Sequence, residues 1–258
     1  MSKQINTLQD ALIYYERICG KFNVTIGEEN EDGILKSYIY TDRFRAESLH
    51  TTEKDFANFS DQIKQLFNVT FADRAVMSQY ATGEVHTQEK FTERIHEQSF
   101  RWNNGYPFAA FLVTDKSEDV VVGYEVIGNG SKDHVGETAY LFNREYHRSA
   151  TKQHAGYENV GALILGYGKE LAKKQAYVNK TYDKESVKFV GGKIFTTVQA
   201  TTLKTNTASK KILENLAFKL VGESYKYGGD RYEFELHYDT ALDAPLVGDT
   251  EVVLEWNQ

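Results

Sequence analysis

The chain has 258 residues, 41% of them hydrophobic and 26% charged, which is enough to bury a core and suits one large domain or a domain with extensions. Its 30 basic and 37 acidic side chains leave a net charge of −7, which argues against non-specific nucleic-acid binding, because phosphate neutralisation needs clustered Lys and Arg. Only 2 Pro argue against a proline-rich scaffold. The single cysteine, Cys19, excludes an intramolecular disulfide, and no apolar run approaches the roughly 20 residues that span a bilayer.

Met1 to Asp10 is polar and has no signal-peptide core, so a cytoplasmic protein is the default expectation. Cys19 reads as a half-buried helix residue in a reducing compartment. Ile5, Leu8, Leu12, Tyr15 and Ile18 recur at helical spacing and predict a short amphipathic helix that stops at Gly20. Phe22, Val24 and Ile26 alternate as in a strand, and Ile34 to Tyr40 reads as its hairpin partner. Residues 1–36 are thus expected to form an N-terminal helix and hairpin extension, ahead of a main domain over 37–240 and a tail over 241–258.

Arg43 to Leu49 is strand-like. Thr51 or Thr52 is the expected cap of a helix with Asp55 in its first turn and Phe56, Phe59, Ile63, Leu66 and Phe67 on its apolar face. A second helix runs from about Thr87 to Asn103 and ends at Asn104-Gly105. Strands follow over Pro107 to Thr114, Val120 to Ile127 and Gly136 to Asn143, then a polar loop over Arg144 to Ala155. A helix spans about Tyr157 to Lys174, and residues 176–192 read as a mobile loop. Ile194 to Leu203 is a strand rich in β-branched residues, Asn206 to Leu216 a helix, and Lys219 to Ser224 and Arg231 to Tyr238 strands. The acidic tail holds one further candidate strand, Glu251 to Trp256. No internal repeat is present. Strand–helix–strand alternation in the middle of the chain predicts an α/β (α+β) fold with a mixed, partly parallel sheet flanked by helices.

Two segments carry chemistry. In the first, a strand enters the loop Gln153-His154-Ala155-Gly156-Tyr157, which opens a helix. Such a junction presents unpaired backbone N–H groups at the positive end of a helix dipole and suits an anion such as a pyrophosphate. Gly156 would permit close backbone approach, and Arg148 and Lys152 would add positive charge. The same pattern also describes an ordinary loop with a glycine at a helix start. The second segment, Asn206 to Phe218, is equally a capped amphipathic helix with Ile212, Leu213 and Leu216 facing a core.

In this order the two segments resemble the GNAT acetyltransferases, in particular the branch containing the ribosomal-protein N-terminal acetyltransferases. The branch's cofactor loop reads Gln/Arg-x-x-Gly-x-Gly/Ala, and the chain matches at Gln153 and Gly156 while Glu158 departs from the small final residue. Glu137 to Asn143 looks like the strand that precedes that loop. Asn206 to Phe218 is similar to the family's Asn-x-x-Ser helix, with Ala217-Phe218 at its Gly-Phe step. Thr41 to Arg45 and the two helices after it look like the branch's opening. The resemblance covers about residues 40–238.

The resemblance implies a central sheet whose two middle strands splay apart to admit acetyl-CoA as co-substrate. Backbone groups of Leu141, Phe142 and Asn143 would bond the pantetheine arm. Gln153, His154, Ala155, Gly156, Tyr157 and Glu158 would form the pyrophosphate cradle, with Asn206 and Ser209 near the thioester. Glu137, a carboxylate on an otherwise apolar strand, is the candidate general base, and is equally readable as a solvated strand-end carboxylate. Ser209 is the candidate to assist the leaving thiolate, since Leu213 stands where many family members have Tyr. Tyr80 falls where the branch builds its acceptor pocket, and is equally readable as a packed surface aromatic. The histidines lack metal-ligand spacing, so no metal is expected.

The acceptor is expected to be a protein N-terminus or a small-molecule amine: the first would need a peptide-wide groove between the early helices and the late hairpin, and for the second the acidic net charge would favour a cationic amine. A third reading, from Glu158 and Leu213, is a non-catalytic GNAT-like binding or regulatory module. A monomer or a homodimer is expected, with no membrane partner.

Overall fold

Helix α1 (Leu8–Cys19) starts where the Thr7 side chain accepts a hydrogen bond from the Asp10 N–H, and it stops at Gly20, whose φ of 91° favours glycine. The computed structural model describes residues 5–31, 34–148, 154–238 and 251–256. The chain continues through β1 (Asn23–Glu31), β2 (Ile34–Tyr40) and β3 (Phe44–Ser48), paired antiparallel in that order.

The helix expected at Thr51 or Thr52 starts later. The Thr51 hydroxyl accepts from the Glu53 N–H at 3.1 Å, and the Thr51 N–H donates to Ser99 Oγ at 2.8 Å, so Thr51 is tied to a distant residue and no helix starts there. After a single 3₁₀ turn at Phe56–Asn58, α2 (Asp61–Leu66) opens at Ser60, whose hydroxyl accepts from the Ile63 N–H. A π-turn over Phe67–Phe71 leads to α3 (Arg74–Met77). The next helix, α4 (Gln88–Asn103), begins at its expected cap, Thr87, and gives way to Asn104 and Gly105.

Strands β4 (Ala110–Asp115), β5 (Val120–Asn129) and β6 (Val135–Phe142) form a meander. Part of the expected polar loop is a helical turn, α5 (Glu145–Arg148). A continuous helix follows as α6 (Ala155–Gly161), a π-segment over Ala162–Gly168, and α7 (Lys169–Lys173).

The stretch read as a mobile loop holds two short ribbons made from β7 (Tyr177–Val178), β8 (Thr181–Asp183), β9 (Lys188–Val190) and β10 (Lys193–Ile194). Its aromatics anchor it: Phe189 stacks on Tyr106 at 4.4 Å and Tyr182 meets Phe100 edge-on at 4.5 Å. Then come β11 (Thr197–Leu203), α8 (Thr207–Asn215), β12 (Lys219–Lys226), β13 (Gly229–His237) and β14 (Glu251–Trp256).

Ten strands make one mixed sheet in the order β12-β13-β11-β6-β5-β4-β3-β2-β1-β14. Only β6 with β11 and β1 with β14 are parallel. One buried cluster joins α1, the α6–α7 helix and α8 to the sheet through residues such as Leu12, Tyr15, Phe111, Phe142, Leu163 and Leu213. A second cluster, with Phe67, Phe71, Phe91, Tyr124 and Leu141, joins α2 to α4 to the other side. Neighbouring β6 residues alternate between the two, Leu141 in one and Phe142 in the other. Among the described residues no helix is long and apolar enough to cross a membrane.

Glu125 is an apparent misfit in this core. It is 1% exposed, its Oε2 has no hydrogen-bond partner, and burial alone holds its carboxyl well above the usual carboxylate range. A folded-state pKa above the unfolded one contributes stability fully present below about pH 4.5 and lost as pH rises through the folded value. Glu125→Gln should therefore gain stability relative to the parent as pH rises from 5 to 8. Urea unfolding at a series of pH values checks this. An unchanged difference across that range would mean that the carboxyl titrates normally.

Candidate functional site

The site is a break in the sheet. Strands β6 and β11 pair only over Val135–Glu137 against Thr197–Gln199, while β11 pairs with β13 over its whole length. Beyond Glu137 the two strands diverge. The Asn143 N–H donates to Val122 O at 2.7 Å, so by antiparallel alternation the polar groups of Leu141 also point into β5. Those of Tyr140 and Phe142 point across the gap. Of the three residues expected to offer backbone groups there, Phe142 does so, and the residue missed by sequence reasoning is Tyr140.

A cavity of about 640 Å³ fills the gap and reaches both faces of the sheet. On the α6 side it is lined by Tyr140, Phe142, His154, Gly156, Tyr157, Thr202, Asn206, Ser209, Ile212 and Leu213. On the α4 side it is lined by Tyr80, Arg94, Tyr124, Val126, Glu137, Ala139 and Leu141, with Tyr227 and Arg231 from the β12–β13 hairpin. The cavity thus brings Glu137, Tyr80, Asn206 and Ser209 to one place, although they are 129 positions apart at the extremes (209 − 80).

The α6 mouth carries the helix start. His154 precedes it at φ 79° and its side chain does not cap the helix; among the described residues no side chain bonds the N–H groups of Ala155, Gly156 and Tyr157. Gly156 lies so close to β6 that a Cβ there would stand 3.3 Å from the Phe142 ring. Gln153 and Lys152 fall outside the described residues, as does the Arg148 side chain.

Glu158 does not line the cavity. Its Oε1 accepts from the Thr41 hydroxyl at 2.7 Å, which turns the carboxylate towards the β2–β3 connection. Burial raises its pKa, and the Thr41 hydrogen bond and Arg43 act against that. The carboxylate that stands where the resembled family has a small residue is therefore turned away from the mouth.

Asn206 caps α8, its Oδ1 accepting from the Ser209 N–H at 3.0 Å, and so fixes the Ser209 hydroxyl 2.8 Å from Tyr140 Oη. Burial pushes the Tyr140 phenol up to about 12, so it keeps its proton at neutral pH. No Tyr is needed at Leu213, which is buried in the core, for a phenol to stand beside Ser209. The signal for Tyr140 in the sequence is its placement two residues before Phe142, on the same face of one strand.

On the other face Glu137 is half-buried. Burial raises its pKa, and a hydrogen bond from Gln199 with the charges of Lys226 and Arg231 partly offsets this. Tyr80 hydrogen-bonds Arg94, and burial pushes its phenol up to about 12. Among the described residues no group of three or more His, Cys, Asp or Glu side chains is placed to hold a metal.

No family model matches the chain, and no curated protein matches it. Solved structures do. A GNAT-family acetyltransferase from Bacillus anthracis is 18% identical with a TM-score of 0.54, over 78% of this chain and 98% of that one. RimL, a ribosomal L7/L12 alpha-N-protein acetyltransferase in complex with coenzyme A, is 12% identical with a TM-score of 0.53, over 78% and 97%. A ribosomal-protein-S5-alanine acetyltransferase from Vibrio fischeri is 14% identical with a TM-score of 0.51, over 78% and 97%. At such identities the likeness is one of fold, and the fold of this chain is that of the GNAT acetyltransferases, its ribosomal-protein branch included, as the order of the motifs predicts.

Proposed function

We propose that the chain is an acetyl-CoA-dependent N-acetyltransferase acting on a primary amine. The observation that carries this reading is the gap between β6 and β11, which opens to the start of α6 on one face and to a carboxylate on the other. The gap fits a pantetheine arm, since the polar backbone groups of Tyr140 and Phe142 turn into it. The first-turn N–H groups of α6 suit the pyrophosphate. When bound, acetyl-CoA supplies an acyl carbon that bonds to the amine nitrogen as its C–S bond breaks, the electron pair leaving on sulfur.

Glu137 takes the proton from the amine, directly or through one water. The Tyr140 phenol, held by Ser209, returns a proton to the sulfur. A thiolate leaves readily at neutral pH, so this second transfer matters less than the first. The reading as a non-catalytic module rested on Glu158 and Leu213. It loses support, because Glu158 is turned towards Thr41 and Tyr140 supplies a hydroxyl. Protein N-termini and small-molecule amines are both accommodated by this chemistry.

Calorimetric titration with acetyl-CoA is the test. Binding with a micromolar dissociation constant is expected, and Gly156→Glu, which puts a carboxylate at the helix start and a side chain against Phe142, should weaken it at least about 100-fold. Absence of binding at millimolar acetyl-CoA overturns the proposal.

A further inference from the structure

The charge of the α4 mouth differs from that of the whole chain. Five charged side chains line it: Arg94, Glu97, Arg101, Glu137 and Arg231. Arg101 is committed to Glu97 at 2.5 Å and to Phe108 O at 3.0 Å. Arg231 donates to Ala81 O at 2.6 Å and to Lys226 O at 3.2 Å, and its charge acts on Glu137. Arg94 remains. It is half-buried, donates to Tyr124 Oη at a long 3.5 Å, hydrogen-bonds Tyr80 and lies 5.7 Å from the centre of the Phe71 ring.

Among the described residues Arg94 has no carboxylate in ion-pair range; Glu97, one turn further along α4, is held by Arg101. Its field is felt nearby, since buried His86 is pushed down to about 4 by burial first and then by Arg94 and Lys90. Burial works against the Arg94 charge, and what offsets it is Tyr124, Tyr80 and the more distant Glu97, none of them a carboxylate seated on its guanidinium fork. A carboxylate or phosphate presents two oxygens to its fork and compensates it fully. Tyr80 feels both Arg94 and Glu137, and all three line the same cavity.

We propose that the acceptor is an amine carrying its own anionic group, a carboxylate or a phosphate, which Arg94 holds while the amine faces Glu137. This rests on the reading of the cavity as the site of acetyl transfer. It reverses the expectation that the net charge of −7 favours a cationic amine, since a local cation outweighs distant, screened charges.

Paired probes test it. Glycine, L-serine and β-alanine are each compared with their carboxamides, and O-phosphoethanolamine with ethanolamine. Affinity is measured by calorimetry and, where acetylation occurs, by KM. Each anionic probe should bind about 10- to 100-fold better than its neutral twin. Arg94→Gln should bring that preference close to one, and Arg94→Lys should restore part of it. Equal affinity within every pair, no binding by any probe, or a preference that survives Arg94→Gln overturns the inference. The probe titrations need no acetyl-CoA, so they fail or succeed separately from the acetyl-CoA titration that tests the reaction itself.

Discussion

Glu137→Gln should lower kcat by about 10²–10⁴-fold and leave acetyl-CoA affinity within about threefold of the parent. Glutamine keeps the shape and the neighbourhood of Gln199 but cannot accept the amine's proton. The carboxylate sits on the α4 face, away from the helix start proposed to hold the pyrophosphate, so the two effects separate. The pH profile adds an independent readout. Burial holds the Glu137 carboxyl above its ordinary value, and only the ionised form is a base, so the parent's rate should rise with pH through that raised pKa. In the variant that rise should disappear. Initial rates of thiol release, recorded over a pH series with one good acceptor, check both points. A variant with near-parental kcat would remove Glu137 from proton transfer.

Tyr15→Ala should cost about 3–5 kcal/mol of stability and weaken acetyl-CoA binding as well. Tyr15 is 3% exposed. It meets Phe22 edge-on at 4.8 Å and Tyr157 at 5.8 Å, and its ring lies against Gly161, where a Cβ would come within 2.6 Å of it. Tyr157 and Gly161 belong to α6, the helix whose first turn opens the cavity. Removing the ring leaves a void beneath that turn, so both the fold and the position of its N–H groups should suffer. At about 2–4 °C per kcal/mol for a chain of this size, the midpoint should fall by about 6–20 °C. Tyr15→Phe, which keeps the ring, should recover most of that loss. Thermal melts together with acetyl-CoA titration measure both quantities. A large drop in midpoint with unchanged affinity would show that α1 supports the core without shaping the site.

The elements legible in the sequence are those whose signals are local. Thr87 caps α4, Gly20 stops α1, and Asn206 caps α8, each by a side chain or a φ value that neighbours in sequence dictate. Strand β2 matches its period-2 pattern from Ile34 to Tyr40. What was not legible depends on distant partners. Thr51 is a residue type that caps helices, yet its N–H is taken by Ser99, 48 positions away, and no helix starts there. The ribbons between Tyr177 and Ile194 look like a polar loop until Phe100 and Tyr106 supply the rings on which Tyr182 and Phe189 rest. At the cavity, Glu137, Ser209 and Tyr80 carry a motif or a position in the sequence, whereas Tyr140 and Arg94 stand out only through their neighbours across the gap, Ser209 for the one and Tyr80 and Tyr124 for the other.

The sheet order has a consequence for how the molecule is made. Both outermost strands, β12 and β14, come from residues 219–256. Asn23 in β1 finds its outer neighbour only at Glu251, 228 positions later (251 − 23). At about 5–20 residues per second, a ribosome needs roughly 10–45 s to cover that distance. Until residue 237 is made the nascent sheet has two unfinished flanks, and from there to residue 251 the β1 flank alone stays open, which is when another chain or a chaperone would find it most receptive.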